Sequence, residues 1–377
     1  MADNLLDKAS ILLTPTAHDN GKMLSIKPTN GDGDFTFSRN GDGSRVNSSG
    51  IIVTEGANLP RINYENGCGS WLLEDESTNI LTQSETFSDW LFLGNRTQIT
   101  INNVNSPDGT QNGAKFERIL ATGNSVIRFT GLTIGNEYTF SLYAKKGNFD
   151  NFSLDISDIT TNFTLTDNWV KYEITETATA SKGFVDISMS GGVVGSYFYI
   201  WGAQLEQQSY ATSYIPTSGA SSTRLRDLAS GSGNSTLINS TEGVLYFEAK
   251  TDELNVGSIS INDGTLSNRI TARFRSDISK IQLSTAGSTD DFNLNSDAIT
   301  LSDYNKIAIV YNNGDYYFVI NGVKGSVQSR GTFSANTFTK LDFNRGGGGE
   351  VFFGKVKALA VYKEALTDAE LTALTTI

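Results

Sequence analysis

From Tyr138 to Ala144 apolar and polar residues alternate one by one, with Tyr138, Phe140, Leu142 and Ala144 set against Thr139, Ser141 and Tyr143. Only an extended strand turns every second side chain to one face, so such a segment is committed to a sheet with one buried side. The same period returns in Val170, Tyr172 and Ile174 and again in Tyr316, Phe318 and Ile320. Tyr197–Glu206 is apolar on both faces over its first half, which predicts a central strand covered on both sides. Gly135-Asn136, Gly147-Asn148, Gly191-Gly192, Asn312-Asn313-Gly314-Asp315 and Asn321-Gly322 separate these stretches. Asn and Gly accept the positive φ angles that tight hairpins require. With 37 glycines, 5 prolines and no long helix-forming runs in 377 residues, the chain is expected to be all-β, built of two antiparallel β-sandwiches.

Composition removes several classes of function. A formal charge of −12 with no cluster of Lys and Arg argues against a nucleic-acid partner, because phosphate binding needs concentrated positive charge. Cys68 and His18 are the only residues of their kinds, which excludes an internal disulfide and leaves no Cys/His metal site or Ser/His nucleophile pair. Cys68, between two glycines, is expected to be a small buried residue. No apolar run approaches the ~18 residues of a membrane-spanning helix, so membrane insertion is not expected. Asn30–Gly33 and Asn40–Gly43 repeat Asn-Gly-Asp-Gly, yet the EF-hand frame from Asp32 places Thr36 at its third ligand position and Gly43 at its twelfth. Two hairpin turns explain the letters, and no cofactor or structural Ca²⁺ is indicated.

The segment Asp34 to Trp90 carries a run of distinctive words. They are Asp34-Phe-Thr-Phe-Ser-Arg39, Ser44-Arg-Val-Asn, Ala57-Asn-Leu-Pro-Arg61, Trp71-Leu-Leu-Glu74, Ser77-Thr-Asn-Ile and Phe87-Ser-Asp-Trp90. Their order resembles the leading segment of bacteriophage tail-fibre and head-fibre virion proteins. Trp201-Gly-Ala-Gln-Leu-Glu206 followed by Tyr210-Ala-Thr-Ser-Tyr-Ile-Pro is similar to the last strand and exit of a carbohydrate-binding-module-like jelly roll. Phe353-Gly-Lys-Val-Lys-Ala-Leu-Ala-Val-Tyr362 and the residues to Leu371 resemble the closing strand and terminal helix of a concanavalin A-like, laminin G-like lectin sandwich. The resemblance implies an adaptor and attachment segment at 1–85, a jelly roll at 86–218, a linker at 219–242 and a lectin domain at 243–377. Ile11–Leu13 and Met23–Ile26 are short apolar words stopped by proline that need a partner strand from the next domain or a second subunit. A homotrimer held through residues 1–80 is therefore expected.

Catalytic chemistry is sought and not found. Concanavalin A-like glycosidases use two flanking carboxylates, whereas Glu248, Glu253, Glu350, Glu364 and Glu370 are scattered and form no Glu-x-Asp-x-x-Glu word. Gly346–Gly349 lacks the Lys-Ser/Thr of a phosphate loop and is expected to be flexible. Trp71, Trp90, Trp169 and Trp201 are read as core. Candidate glycan-binding residues are Arg273 and Arg275 near a strand end, Asp290 and Asp291 in a polar loop, and Arg345. Thr367 and Glu370 form a capping box that starts a short terminal helix, with Leu371 and Leu374 expected to dock on the sandwich. The resemblance implies a non-enzymatic virion subunit on the particle exterior, made in the host cytoplasm without a secretory signal. Its partners would be other virion proteins and a host-surface glycan. A structural decoration or connector protein is the alternative, and a polysaccharide depolymerase a more distant one.

Overall fold

A computed structural model describes residues 5–179, 183–251 and 257–377. The chain forms two compact units, one of residues 1–42, 55–75 and 226–377 and the other of residues 43–54 and 76–225. Both are built of antiparallel sheets, and the helices are Leu5–Lys8 and Asp368–Thr375 with two single 3-10 turns. Among the described residues no helix is long and apolar enough to cross a membrane.

The unit of 76–225 is a sandwich of two five-stranded sheets. One runs in the order Leu91–Leu93, Ser125–Thr130, Phe184–Met189, Asn151–Ile156, Ile159–Thr164. The other runs Thr97–Val104, Gly113–Arg118, Tyr197–Glu206, Glu137–Lys146, Val170–Thr177. Tyr138, Phe140, Leu142 and Ala144 lie in its core with Phe198 and Ile200, as the alternation predicts. The outer face of Tyr197–Glu206 departs from expectation: Trp201 is buried against Ile52 and Tyr214, but Tyr197 and Tyr199 remain partly exposed.

In the other unit a nine-stranded sheet faces the five-stranded sheet Asn293–Asn295, Lys280–Ala286, Arg269–Arg275, Gly257–Asn262, Lys340–Asp342. Leu245, Phe247, Ile307, Ile309, Leu359 and Val361 from the first meet Ile259, Ile261, Ile270, Ala272, Phe274, Ile281 and Leu283 from the second. The two predicted hairpins are present, Asn312↔Asp315 around Asn313-Gly314 and Ile320↔Val323 around Asn321-Gly322. All four turn residues have positive φ, between 48° and 98°.

The first 75 residues do not stand apart as an adaptor. Ala9–Leu13 pairs with Gly354–Tyr362, Ile11 opposite Val361 and Leu13 opposite Leu359, and Cys68–Leu73 pairs with the beginning of the same strand. Ile11, Leu12, Leu13 and Met23 are buried within the single chain, so these words call for no second subunit. The partners of Ile11–Leu13 lie some 350 positions away in sequence, which local patterning does not reveal. Within 219–242, Ser222–Arg224 pairs with Ser77–Asn79, and Leu228–Ser230 pairs with Phe35–Ser38. Cys68 is exposed in the Arg61–Glu65/Cys68–Leu73 hairpin, contrary to the buried placement expected, because it sits at the turn where side chains leave the core.

Between these strands lies a buried ion network. The Asp227 carboxylate accepts from Arg39 Nη1 at 3.1 Å, from Arg61 Nη2 and from the Glu74 backbone N–H at 2.9 Å. Arg39 also donates to the carbonyls of Gly41, Glu55 and Gly56, and Arg61 Nη1 pairs with Glu74 at 2.6 Å. The Asp227, Arg39 and Arg61 side chains are all fully buried. Burial alone would lower the Arg61 pKa, but the charges of Asp227 and Glu74 outweigh it and raise it.

The terminal helix has the expected cap. Thr367 accepts from the Glu370 N–H, and the Glu370 carboxylate accepts from the Thr367 N–H. Leu371 is fully buried against the outer face of the nine-stranded sheet with Val244, Val310 and Val319, and Leu374 packs at its edge.

Two stability predictions follow from this packing. Asp227→Ala leaves two buried guanidinium groups facing each other and should cost about 3–5 kcal/mol in denaturant unfolding, whereas Asp75→Ala, which loses the half-buried partner of the exposed Arg226, should cost about 1 kcal/mol or less. Leu371→Asp should lower stability by several kcal/mol, on the order of the penalty for a buried unpaired charge; equal melting temperatures for variant and parent would show that the helix is not docked.

Candidate functional site

On Arg269–Arg275 the residues Ile270, Ala272 and Phe274 enter the core, so Arg269, Thr271, Arg273 and Arg275 line the outer face of the five-stranded sheet. Directly opposite them stand Asn262, Ser260 and Ser258 on one side and Ser284, Gln282 and Lys280 on the other. This polar face brings two of the sequence-predicted residues together. Arg273 makes a two-pronged contact with Glu350, Nε to Oε2 and Nη2 to Oε1, each at 2.8 Å, and its Nη1 reaches Gln282 at 2.7 Å. Arg345 Nη1 donates to the same Glu350 at 2.6 Å, and Ser258 Oγ adds a bond at 3.1 Å. Gln282 passes the chain on to Asn295 at 2.9 Å.

Glu350 holds this position with φ of +49°, a backbone conformation that residues with a Cβ seldom adopt. The Gly346–Gly349 turn that precedes it is closed, with Arg345 N–H donating to the Gly349 carbonyl at 2.8 Å and Gly346 N–H to Asn344 Oδ1 at 2.7 Å. A Cβ on Gly346 would fall 2.6 Å from the Thr265 carbonyl, so only glycine lets this turn lie over the 262–266 hairpin. Burial would raise the Glu350 pKa, but the Arg273 hydrogen bond and the charges of Arg273 and Arg345 hold it below the ordinary carboxylate value.

The other predicted residues stand apart from this cluster. Arg275 is paired with Asp277 at 2.7 Å on the exposed side. Asp291 accepts from the N–H groups of Gly287 and Ser288 and from Ser288 Oγ, so it shapes its own turn. Asp290 lies 3.6 Å from Arg330 at the surface. Arg269 and Glu350 were missed as a pair because strand period locates the first and nothing local locates the second, 81 residues on. Of the scattered glutamates, Glu253 lies outside the described residues.

Trp71, Trp90 and Trp201 are buried, in keeping with the core reading, and Trp169 is partly exposed with its Nε1 donating to the Asn105 carbonyl at 2.9 Å. The outward aromatic surface is made by tyrosines in the sandwich of 76–225. Tyr197 and Tyr199 stand two apart on one face, their rings 5.5 Å apart and edge to face. Lys115 and Lys145 lie directly opposite Tyr199 on its two neighbouring strands, and Glu117 lies opposite Tyr197. Lys115 Nζ sits 4.4 Å from the Tyr197 ring centre and 2.8 Å from Glu117. A Cβ on Gly147 would come within 2.4 Å of the Tyr197 ring, so that glycine makes room for it. Burial and the neighbouring Tyr197 hydroxyl raise the Tyr199 pKa.

The opposite sheet of this sandwich carries a row of Arg128, Asp186, Asp155 and Thr160. Asp186 is held by two Arg128 bonds at 2.6–2.7 Å, and Asp155 accepts from Thr160 and from Ser188. Both oxygens of each carboxylate are thus engaged within the sheet. Among the described residues no group of His, Cys, Asp or Glu is placed to hold a metal ion.

No protein-family model matches the chain, and no curated protein matches it. Among solved structures it is similar to the CBM40 module of an IT-sialidase from Ruminococcus gnavus bound to α2,3-sialyllactose, at 19% identity over 39% of this chain and 93% of that one, TM-score 0.33. It is also similar to the laminin α1 domains LG4-5 of mouse, at 11% identity over 67% and 93% with TM-score 0.26. The tandem CBM22 domains of Paenibacillus barcinonensis Xyn10C match at 12% identity over 83% and 96%, also with TM-score 0.26.

The Glu350 geometry carries a pH prediction. Because its folded pKa lies below the ordinary value of 4.5, its contribution to stability is complete above that value and is lost as pH falls through the folded pKa. Glu350→Gln should therefore be less stable than the parent at pH 7, with the gap closing only below about pH 4.5. Chemical denaturation across pH 3–7 measures it; a constant gap would contradict the assignment.

Proposed function

We propose that the chain is a non-catalytic glycan-binding protein, an appendage subunit of a bacteriophage virion that attaches to host-surface saccharides. The observation that carries the binding reading is the Tyr197/Tyr199 surface with Lys115, Lys145 and Glu117 set directly across from it. A pyranose offers an apolar face of C–H groups ringed by hydroxyls. Aromatic rings with donors and acceptors beside them match both parts. The platform stands on three adjacent hydrogen-bonded strands, which hold its side chains without ordering loops on binding.

A binding role without turnover is supported by the state of the carboxylates. Glycoside hydrolysis needs one carboxyl group that can give up a proton near neutrality and a second that faces the reacting carbon. Glu350 is held ionised by two arginines, and Asp155 and Asp186, although burial raises their pKa values, have their oxygens taken up by Thr160, Ser188 and Arg128 within the sheet. The virion context rests on the resemblance of the words from Asp34 to Trp90 to the leading segment of phage fibre proteins. In such a particle the subunit would sit on the exterior among other virion proteins.

A glycan array with the intact protein tests the reading. At least one saccharide class should bind, and Tyr199→Ala should weaken it by tenfold or more, about 1.4 kcal/mol, with unchanged melting temperature. A folded parent that binds no saccharide, while assembling with other particle proteins, would favour the connector role.

A further inference from the structure

The outer face of the five-stranded sheet holds more guanidinium donors than acceptors. Arg269 has one hydrogen bond, from Nη1 to the Leu266 carbonyl. Its Nε is buried without a partner among the described residues, and so are the Nε of Arg345 and the hydroxyl of Thr271. Arginine keeps its proton at any physiological pH, so these donors cannot be silenced by titration. The carboxylates on this side are already committed: Glu350 to Arg273, Arg345 and Ser258, Asp342 to Asn262 and the Gly231 N–H, and Asp291 to its own turn. Arg275 is neutralised by Asp277.

Arg269 and Arg345 lie near each other. The Gly346 turn rests on the 262–266 hairpin, and Arg269 stands directly opposite Asn262 at the end of that hairpin. After burial, the charge of Arg345 is the largest influence lowering the Arg269 pKa. Glu350 and Asp291 relieve this repulsion in part, and a further anion at the two guanidinium groups would relieve it more fully. The left-handed Glu350 keeps Arg345 over this face by binding one edge of it, leaving the side chain 31% exposed.

We propose that Arg269 and Arg345 form a binding site for the anionic group of an acidic saccharide, a sugar carboxylate or a sugar sulfate. Either group supplies clustered oxygen acceptors for the exposed part of the Arg345 guanidinium and for Arg269 beside it. Arg273, already bound to Glu350 and Gln282, positions that carboxylate, and the fully buried Thr271, Ser260 and Asn262 support the site from beneath. The site is separate from the tyrosine platform, and its assignment to a saccharide rests on the glycan-binding reading above.

Titration calorimetry on the full chain tests it with paired probes: 3′-sialyllactose against lactose, oligogalacturonate against its carboxyl-reduced form, and dextran sulfate oligosaccharide against dextran. At least one acidic probe should bind tenfold or more tightly than its neutral partner, and which pair responds separates carboxylate from sulfate. Arg269→Gln and Arg345→Gln should each abolish that preference, while Tyr199→Ala should leave the acidic-to-neutral ratio in place. Rising salt should weaken the acidic probe alone. Equal affinity within all three pairs, or a preference that survives both arginine variants, overturns the proposal. Saccharide binding without any charge preference would sink this site and spare the general reading, whereas no binding by any probe would sink both.

Discussion

The carboxylate of Asp227 is the point on which the unit of 1–42, 55–75 and 226–377 closes. It sits between two fully buried guanidinium groups, Arg39 and Arg61, and takes the Glu74 N–H as well. Three segments within residues 39–74 and a fourth more than 150 residues further on must reach their places before these charges can leave water. An incomplete network would strand a buried charge at a cost of several kcal/mol, on the order of 3–5, so near-native arrangements with one segment misplaced are strongly disfavoured. The distinctive words of the chain find a physical meaning here. Phe37-Ser-Arg39, Pro60-Arg61, Leu73-Glu74 and Arg226-Asp227 are the pieces of one ion network, and their residue types are fixed by charge neutrality in a dry interior.

A rigid framework makes the surface features specific. The polar face with Arg269, Arg273, Arg345 and Glu350 is carried on strands whose other side is core, so its side chains are displayed by the same alternation that fills the sandwich. The tyrosine surface of the other unit is carried in the same way on Gly113–Arg118, Tyr197–Glu206 and Glu137–Lys146. One face offers aromatic rings beside ammonium groups and the other offers guanidinium donors, so under the proposed reading each would suit its own kind of saccharide group.

Much of the fold was legible in the sequence, for reasons that are local. Alternation identified Tyr138–Ala144 and Tyr316–Ile320, Asn-Gly identified the hairpins, and Thr367 with Glu370 identified the helix start. What local pattern could not supply was pairing across long stretches of chain. Ala9–Leu13 finds its place on Gly354–Tyr362, and for that reason the opening segment reads as an adaptor in sequence while being part of a sheet in the fold. The candidate site was half legible. Arg273 and Arg345 were visible as charged residues outside the core pattern, but Glu350, which joins them, looked like one of several scattered glutamates. Tyr197 and Tyr199 were concealed by a strand that is apolar on both faces, since sequence does not say which outer face is covered.

The central claim is that saccharides bind on the rigid strand faces of these sandwiches. A crystal structure of the full chain with the tightest-binding saccharide from a glycan array tests it most directly. The account predicts a sugar ring stacked on Tyr199 or an anionic sugar group bridging Arg269 and Arg345, with the strands beneath unmoved. A saccharide seated elsewhere, with both faces empty, would contradict it.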